Sequence, residues 1–355
     1  MAVIGVYPNS SIRKCEEEGG LTVAHNLDIF GGQASMFYVG TPPWHELGTR
    51  FERPPRDSSE AIHAARLNWR VRKEPLLAED PDGNIPVPNK YAIVREDRRI
   101  VLGIVSGEYQ PLQNEEAFRF FDGIIDIGAA EYETAGALGS GENIWILVKM
   151  KAEPMLIAGF DEVQKYILLV NSHDGSSSVH IRFTPIRVVC QNTLTVAMHK
   201  GTRLRAIVHR HGLHRRIEEA RQLLESIVNT YRDIERHFDL MAKVKVDGKR
   251  LQEYIEAVFP MPKTTIEMGG KEEHERVLSL RDEAARLFTD GMGNRNPSIE
   301  GTLWAAYNAV TELVDYKYRQ WRDLKNRLRD IWIGEGSTIK VQAYREAVAR
   351  LNTWG

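Results

Sequence analysis

One stretch of the chain, between Gly175 and Ile217, is rich in basic residues and contains no Asp or Glu. Its eight cationic residues are Arg182, Arg187, Lys200, Arg203, Arg205, Arg210, Arg215 and Arg216. Because the whole chain has a formal charge of −2, the rest of it carries −10. Such segregation of charge produces a local positive potential that attracts phosphate and other anions. Arginine suits phosphate in particular, because its guanidinium fork binds two oxygens at once.

The same stretch holds five of the eleven histidines, namely His180, His199, His209, His211 and His214. The last three have H-x-H-x-x-H spacing, and imidazole is a common ligand of zinc, nickel and iron. The neighbouring arginines oppose the binding of a cation, however. The alternative is that these histidines supplement an anion-binding surface or lie at a strand-to-helix corner.

Ser172, His173 and Asp174 stand in a row, but a catalytic triad needs side chains that converge from separate places in the fold. Asp174-Gly175 is a favoured turn pair, so we interpret this text as a hairpin. Asn171 and His173 are expected to project towards a shared site from the strand end. The glycines between Gly136 and Gly141 likewise predict a hairpin, since no Gly-Lys-Ser/Thr follows them.

The elements that carry the basic stretch are predicted to be strands. Alternation places His180 and Arg182 on one face, with Phe183 on the opposite, core-facing side. It also places Arg203, Arg205 and His209 together. The stretch offers no other aromatic residue for base stacking, so stacking would have to come from elsewhere, with Trp44, Tyr132 and Trp145 as candidates.

The chain as a whole predicts an α+β fold, with a largely antiparallel sheet and helices in the N-terminal two-thirds and an α-helical C-terminal region. The predicted strands are Trp69–Leu77, Lys90–Arg95, Ile100–Val105, Tyr132–Leu138, Asn143–Met150, Lys165–Asn171 and Ser178–Val188. The predicted helices are Ser58–Leu67, Glu115–Ile127, a helix of roughly 28 residues from Leu213, and then Arg250–Phe259, Lys271–Phe288, Ile299–Ile331 and Val341–Leu351. These elements predict a flexible arm over residues 1–35, an α+β domain over 36–212 and a helical region over 213–355.

The composition is typical of a globular protein without disulfide bonds or membrane spans. Hydrophobic residues make up 42% and charged residues 27%, which is ordinary for a globular protein. With only Cys15 and Cys190, a disulfide framework is excluded, and we expect a reduced, cytoplasmic setting. No apolar run reaches the roughly 18–20 residues of a membrane span, and the N-terminal text does not resemble a signal peptide.

Several phrases resemble a known family. They are AHNLDIFGGQASMFYVGTPPWHELGT from Ala24, YETAGALGSGENIWILVKM from Tyr132, YILLVNSHDGSSSVHIRFTPIRVVCQNTL from Tyr166 and GTLWAAYNAVTELVDY from Gly301. Together they are similar to the phage/plasmid-like protein family, whose main domain is a domain of unknown function. Glu46 stands where that family usually has Gly. The resemblance implies a gene of a phage, plasmid or integrated element and supplies no reaction or catalytic residue.

The leading hypothesis is a non-enzymatic nucleic-acid-binding protein of a bacterial mobile element, with single-stranded DNA binding or annealing as its specific role. The binding residues would be the eight cations named above, and no cofactor is expected. The helical region would support a homo-oligomer. One alternative is a metal-dependent enzyme on phosphate-containing substrates, with ligands among His173, His209, His211 and His214. Another is an interaction protein that acts on a host factor.

Overall fold

The computed structural model of the chain describes residues 27–40, 48–177, 179–187, 213–263, 270–318, 330–331 and 334–355. The chain divides into two compact units. Unit 1 comprises Met1–Ile125, Tyr132–Leu147 and Leu169–His180. Unit 2 comprises Asp126–Glu131, Val148–Leu168 and Ile181–Gly355. The predicted arm over residues 1–35 lies mostly outside the described residues, and so does most of the central basic stretch.

The described strands are short and concentrated before residue 188. They are β1 Ile29–Phe30, β2 Gln33–Ala34, β3 Met36–Val39, β4 Thr49–Phe51, β5 Val71–Ala78, β6 Ile85–Arg95, β7 Ile100–Ser106, β8 Ala130–Leu138, β9 Asn143–Met150, β10 Met155–Ile157, β11 Asp161–Gln164, β12 Tyr166–Ser172, β13 His180–Phe183 and β14 Ile186–Arg187. The helices are α1 Ser58–Ala64, α2 Asn114–Arg119, α3 Asp122–Asp126, α4 Leu213–Lys243, α5 Gly248–Val258, α6 Lys271–Asp290, α7 Leu303–Glu312 and α8 Glu335–Trp354, with a π-helical turn at Leu313–Lys317 directly after α7. The α+β prediction is therefore confirmed.

The largest sheet has six strands in the order β13-β12-β9-β8-β3-β4. Within it, β3 pairs antiparallel with β8 and parallel with β4, so that Phe37 lies opposite both Ala135 and Thr49. A second sheet, β5-β6-β7, is antiparallel throughout, as is the small sheet β10-β11-β14. The sheets are thus mostly antiparallel, with β3–β4 as a parallel exception.

Turn residues end the strands as the sequence indicated. Between β8 and β9, Gly139 and Gly141 have φ of +69° and +107°, and the amide of Gly141 donates to the carbonyl of Leu138 at 3.0 Å. After β12, Asp174 Oδ1 accepts from the amide of Ser176 at 2.9 Å, and Gly175 has a φ of +76°. Both predicted hairpins are therefore confirmed, since the flanking strands are neighbours in the sheet.

The helices of unit 2 bury one aromatic core. On α4, the apolar residues Ile227, Tyr231, Ile234, Phe238 and Met241 recur three or four positions apart, and all five are buried. Phe238 lies 4.6 Å from the ring of Trp304 on α7, measured between centroids, and 6.1 Å from that of Tyr344 on α8. The amphipathic pattern alone therefore identified the face of α4 that packs against α7 and α8.

Three predicted elements differ in the structure. The predicted helix Glu115–Ile127 is two short helices, because the chain tightens where the Phe121 amide bonds to the carbonyl of Phe118, three residues back. The predicted strand Ser178–Val188 is interrupted between β13 and β14, where Pro185 has no amide to donate to a ladder. The predicted helix Ile299–Ile331 begins only at Leu303, because Thr302 is its N-cap, and residues 319–329 lie outside the described part of the chain.

No helix in the described parts of the chain is long and apolar enough to span a membrane.

Candidate functional site

The structure describes part of the predicted nucleic-acid-binding set. Arg182 lies on β13, Arg187 lies on β14, and Arg215 and Arg216 lie in the first turn of α4. The remaining four, Lys200, Arg203, Arg205 and Arg210, lie outside the described residues. The first turn of α4 contains no acidic residue. Helix N-termini carry a partial positive charge, so two arginines there add to a potential that is already positive.

Arg182 is the member of the set whose side-chain environment is best defined. It is half-buried in unit 2, and its Nη1 donates to Ser337 Oγ on α8. Burial lowers the pKa of the Arg182 guanidinium. Phe183, the next residue, is fully buried, which confirms the predicted core face of this strand. Arg182 therefore contributes to the packing of unit 2, and its role in binding nucleic acid stays a prediction.

Beside this contact, unit 2 contains a buried ion pair. Lys340 on α8 is fully buried, and its Nζ lies 2.9 Å from Asp315 Oδ1 in the π-helical turn. Desolvation lowers the pKa of Lys340, the carboxylate of Asp315 opposes this, and the charge of Arg182 adds to the lowering. The two cations thus lie close enough to repel each other, and Asp315 offsets their charge.

The helix that precedes the π-helical turn of Asp315, α7, buries several polar side chains. All ten residues of α7 are buried, and they include the polar side chains of Asn308, Thr311 and Glu312. π-turns inserted into α-helices occur frequently at functional sites. Asn308 is fully buried, and neither atom of its side-chain amide has a hydrogen-bond partner among the residues that the structure describes. An unpaired buried amide is costly, so this position is held by the packing around it.

The proposed metal ligands do not form a site in the described residues. His209 and His211 lie outside them, and His214 belongs to the first turn of α4. Within the described parts of the chain, no group of three or more His, Cys, Asp or Glu side chains is placed to hold a metal ion. The metal prediction for the H-x-H-x-x-H residues therefore stays untested.

His173 instead belongs to a buried polar network in unit 1. It is fully buried at the end of β12, and its Nε2 lies 2.8 Å from Asn114 Oδ1 on α2. The amide of Asn114 donates to the carbonyls of Leu67 and Trp69, at 3.0 and 3.4 Å, so its oxygen must face the histidine. His173 therefore carries a proton on Nε2 and donates it to Asn114 Oδ1. Asn171 Nδ2 lies 3.5 Å from the same nitrogen, which confirms that Asn171 and His173 project to one place.

The other ring nitrogen of His173 accounts for its acidity. Nδ1 is buried and has no hydrogen-bond partner among the described residues. Burial lowers the pKa of His173 to about 4, with a smaller effect in the opposite direction from Asp174 and a further lowering from Arg95. A proton on Nδ1 would be buried without an acceptor among the described residues, and the charge of Arg95 would oppose it, so the neutral ring is favoured.

A buried carboxylate completes the polar interior of unit 1. Asp28 accepts hydrogen bonds from Arg95 Nη1 at 2.8 Å, from Arg98 Nη1 at 2.6 Å and from Ser35 Oγ at 2.9 Å. Arg95 is equally buried and also pairs with Asp97. The guanidinium of Arg95 lies 4.1 Å from the ring centroid of Trp69. These residues form one network, and Arg95 joins it to the ring of Trp69.

Sequence reasoning identified His173 and Asn171 but missed Asp28, Arg95 and Asn114. No motif joins these residues, because Asp28 and Arg95 are 67 positions apart in the chain. The aromatic candidates Tyr132 and Trp145 are both buried, so neither can stack on a base at the surface. Trp44 lies outside the described residues.

Comparison with known proteins identifies the family and leaves the reaction open. A family model described as a domain of unknown function, DUF932, matches residues 101–332. Neither a curated protein nor a solved structure matches the sequence significantly. The match covers well over half of the chain, including β7 to β14, α4 to α7 and the whole basic stretch. The chain therefore belongs to the DUF932 family, whose members share this domain of unknown function.

Proposed function

We propose that this protein binds nucleic acid through the basic stretch between Gly175 and Ile217, with single-stranded DNA as its preferred ligand. The observation that carries the proposal is the charge distribution: eight Lys or Arg and no acidic residue, in a chain whose remainder carries −10. Neutralising phosphates with such cations releases counterions, which is the main source of affinity in nucleic-acid binding.

The elements that bracket the stretch support this proposal. The stretch enters through β13 and β14 and leaves through the first turn of α4, which contains no acidic residue. The acidic residues of α4 begin in its second turn, at Glu218 and Glu219, and continue with Glu225. Because the helix dipole and the arginines have the same sign at this end, a phosphate chain would be attracted there rather than to the middle of α4.

The biological setting of the proposal rests on the resemblance to phage/plasmid-like proteins. We place the protein in the cytoplasm of a bacterial host, acting on the DNA of a mobile element during replication or recombination. Single-strand annealing by a homo-oligomer is the specific activity that this setting favours, since bringing two strands together requires several basic surfaces in one particle.

The direct test is a salt series with labelled single-stranded and duplex DNA, using protein freed of co-purifying nucleic acid. With six phosphate contacts, the slope of log K against log salt is about −4 for a single strand and about −5 for duplex DNA. The variant Arg203→Gln/Arg205→Gln/Arg210→Gln removes three of those contacts. It should lower the magnitude of the slope by about 2 on single strands, since each lost contact contributes about 0.7.

A matched control removes the same charge elsewhere. Arg232, Arg236 and Lys243 are exposed on α4, beyond the basic stretch. The variant Arg232→Gln/Arg236→Gln/Lys243→Gln should keep the wild-type slope. If wild-type protein shows no salt-sensitive binding to any DNA or RNA, or if the control loses as much slope as the test variant, the proposed site is wrong.

A further inference from the structure

Unit 1 contains a cleft of about 340 Å³ that the basic stretch does not contribute to. It lies between α1, α2 and the segment that leads into β5. Ile62 and Trp69, each 6% exposed, supply its apolar wall, while Ser59, Asn68 and Arg70 supply polar groups at its rim. Its volume is at the small end of the range of about 300–1,000 Å³ that is typical of ligand sites. The cleft therefore suits a small molecule or a single residue of a polymer.

Hydrogen bonds from Gln113 and Asn114 fix the backbone that carries Trp69 in the apolar wall. The side chain of Gln113 pairs with the backbone of Val71, accepting from its amide at 3.1 Å and donating to its carbonyl at 2.9 Å. Asn114 donates to the carbonyls of Leu67 and Trp69. The segment from residue 67 to 71 is thus fixed on both sides of Trp69, and the guanidinium of Arg95 lies against the Trp69 ring. A preformed wall of this kind reduces the entropy lost on binding.

Two side chains at the rim can donate hydrogen bonds to a ligand. Arg70 and Asn68 are exposed, and neither side chain has a partner among the described residues. The acidic residue of the lining, Glu115, is paired with Arg119 one helical turn away. The lining therefore has a net positive charge, and the free guanidinium of Arg70 offers the fork that matches phosphate oxygens.

We infer that this cleft binds one nucleotide, with the phosphate at Arg70 and an edge of the base against the small accessible parts of Ile62 and Trp69. The amide of Asn68 is placed at the same rim to bond a polar edge of the base. The nucleotide comes either from solution or from the end of a DNA strand, and only the second source rests on the proposed function. A nucleoside alone lacks the phosphate contact, and inorganic phosphate lacks the apolar one, so both should bind more weakly than the nucleotide.

Calorimetric titration of the full chain with dTMP, thymidine and inorganic phosphate tests this inference. The variant Arg70→Gln should weaken dTMP binding by about tenfold or more, as expected for one charge-assisted contact. Arg66→Gln is the matched control, because Arg66 is exposed four residues earlier and does not line the cleft. It should leave dTMP binding unchanged. Ser59→Phe, which fills the cleft without changing its charge, should abolish binding.

The outcomes separate this inference from the proposed function. If dTMP does not bind, or binds no more tightly than phosphate, or binds equally well to Arg70→Gln, the cleft is not a nucleotide site. If dTMP binds and a 5′-phosphorylated oligonucleotide competes better than its 5′-hydroxyl form, the ligand is a strand end. If dTMP binds as expected but the protein shows no salt-sensitive binding to oligonucleotides, the cleft is a site for free nucleotides and only the proposed function fails.

Discussion

His173 should make the stability of unit 1 depend on pH in the mildly acidic range. Its neutral ring donates to Asn114 through Nε2, and its buried Nδ1 has no partner among the described residues. Burial and the charge of Arg95 hold its pKa at about 4. In the unfolded chain the same side chain has a pKa of about 6.5. At a pH between these two pKa values, His173 is therefore protonated in the unfolded state and neutral in the folded state.

The sign and size of the effect follow from proton linkage. Where the unfolded state binds more protons, stability rises with pH, so this histidine destabilises the fold as the pH falls from about 6.5 towards about 4. The limiting slope for one proton is about 1.4 kcal/mol per pH unit. Going from pH 7 to pH 5 should therefore lower the free energy of unfolding by about 2 kcal/mol through His173 alone.

The measurement is hydrogen exchange at pH 5, 6 and 7, corrected for intrinsic rates, on peptides from β9 and β12. Exchange resolves these strands from the rest of the chain, which matters because a chain with two compact units need not unfold in one step. In His173→Gln, the difference in protection between pH 5 and pH 7 should shrink by about 2 kcal/mol. In His63→Gln, which alters an exposed histidine, it should not. Equal pH dependence in wild-type protein and His173→Gln would refute the reasoning.

Two further predictions concern the packing of the fold. Asp28→Ala leaves the buried Arg95 without its most buried partner and should cost about 3–5 kcal/mol in urea unfolding, whereas Asp97→Ala, at a carboxylate whose side chain is 43% exposed, should cost less than about 1 kcal/mol. Gly103→Ala places a methyl group 2.5 Å from the backbone of the turn after β12 and should cost about 1–3 kcal/mol. Gly248→Ala has open space and should change the melting temperature little. Equal losses within either pair would contradict these assignments.

The sequence predicted those elements whose signal is local. The apolar run Asn143–Met150 gave β9 with its observed bounds, and the spacing of Ile227, Tyr231 and Phe238 gave the buried face of α4. The hairpin at Asp174-Gly175 followed from the conformational preference of two adjacent residues. Such features depend on short-range sterics and periodicity, which is why single-sequence reasoning recovers them.

The helix boundaries that the sequence predicted wrongly lie where tertiary packing competes with local conformational preference. The spacing of Phe118, Phe121, Ile124 and Ile125 predicted one helix, but the chain tightens there. The ring of Phe121 packs edge-on against Phe120 and Tyr132. Ser298 precedes an apolar run as a cap should, but Asn296 accepts its amide, and Thr302 caps the helix four residues later. In each case a contact that sequence spacing does not reveal decided the boundary.

Of the candidate sites, those built from neighbouring residues could be predicted from the sequence, and those built from distant residues could not. The basic stretch is visible in the sequence because charge can be counted along the chain. The His173 network is not, because its members lie far apart: Asn114 and His173 are separated by 59 positions, and Asn114 meets Leu67 across 47. The cleft beside Trp69 depends on the same long-range contacts, so only the folded chain brings its wall and rim together.

During synthesis of the chain, β3 must wait for one of its two partner strands in the six-stranded sheet. β3 lies between β4 and β8, and Phe37 pairs with Ala135, about 100 residues later in the chain. At about 5–20 residues per second, the ribosome needs about 5–20 s to supply that partner. Throughout this interval the apolar strand Met36–Val39 has one edge without its neighbour, and an unpaired edge can recruit another chain. Nascent copies on a crowded polysome are therefore the stage at which this protein is most exposed to misassembly, and slower translation before residue 135 would prolong it.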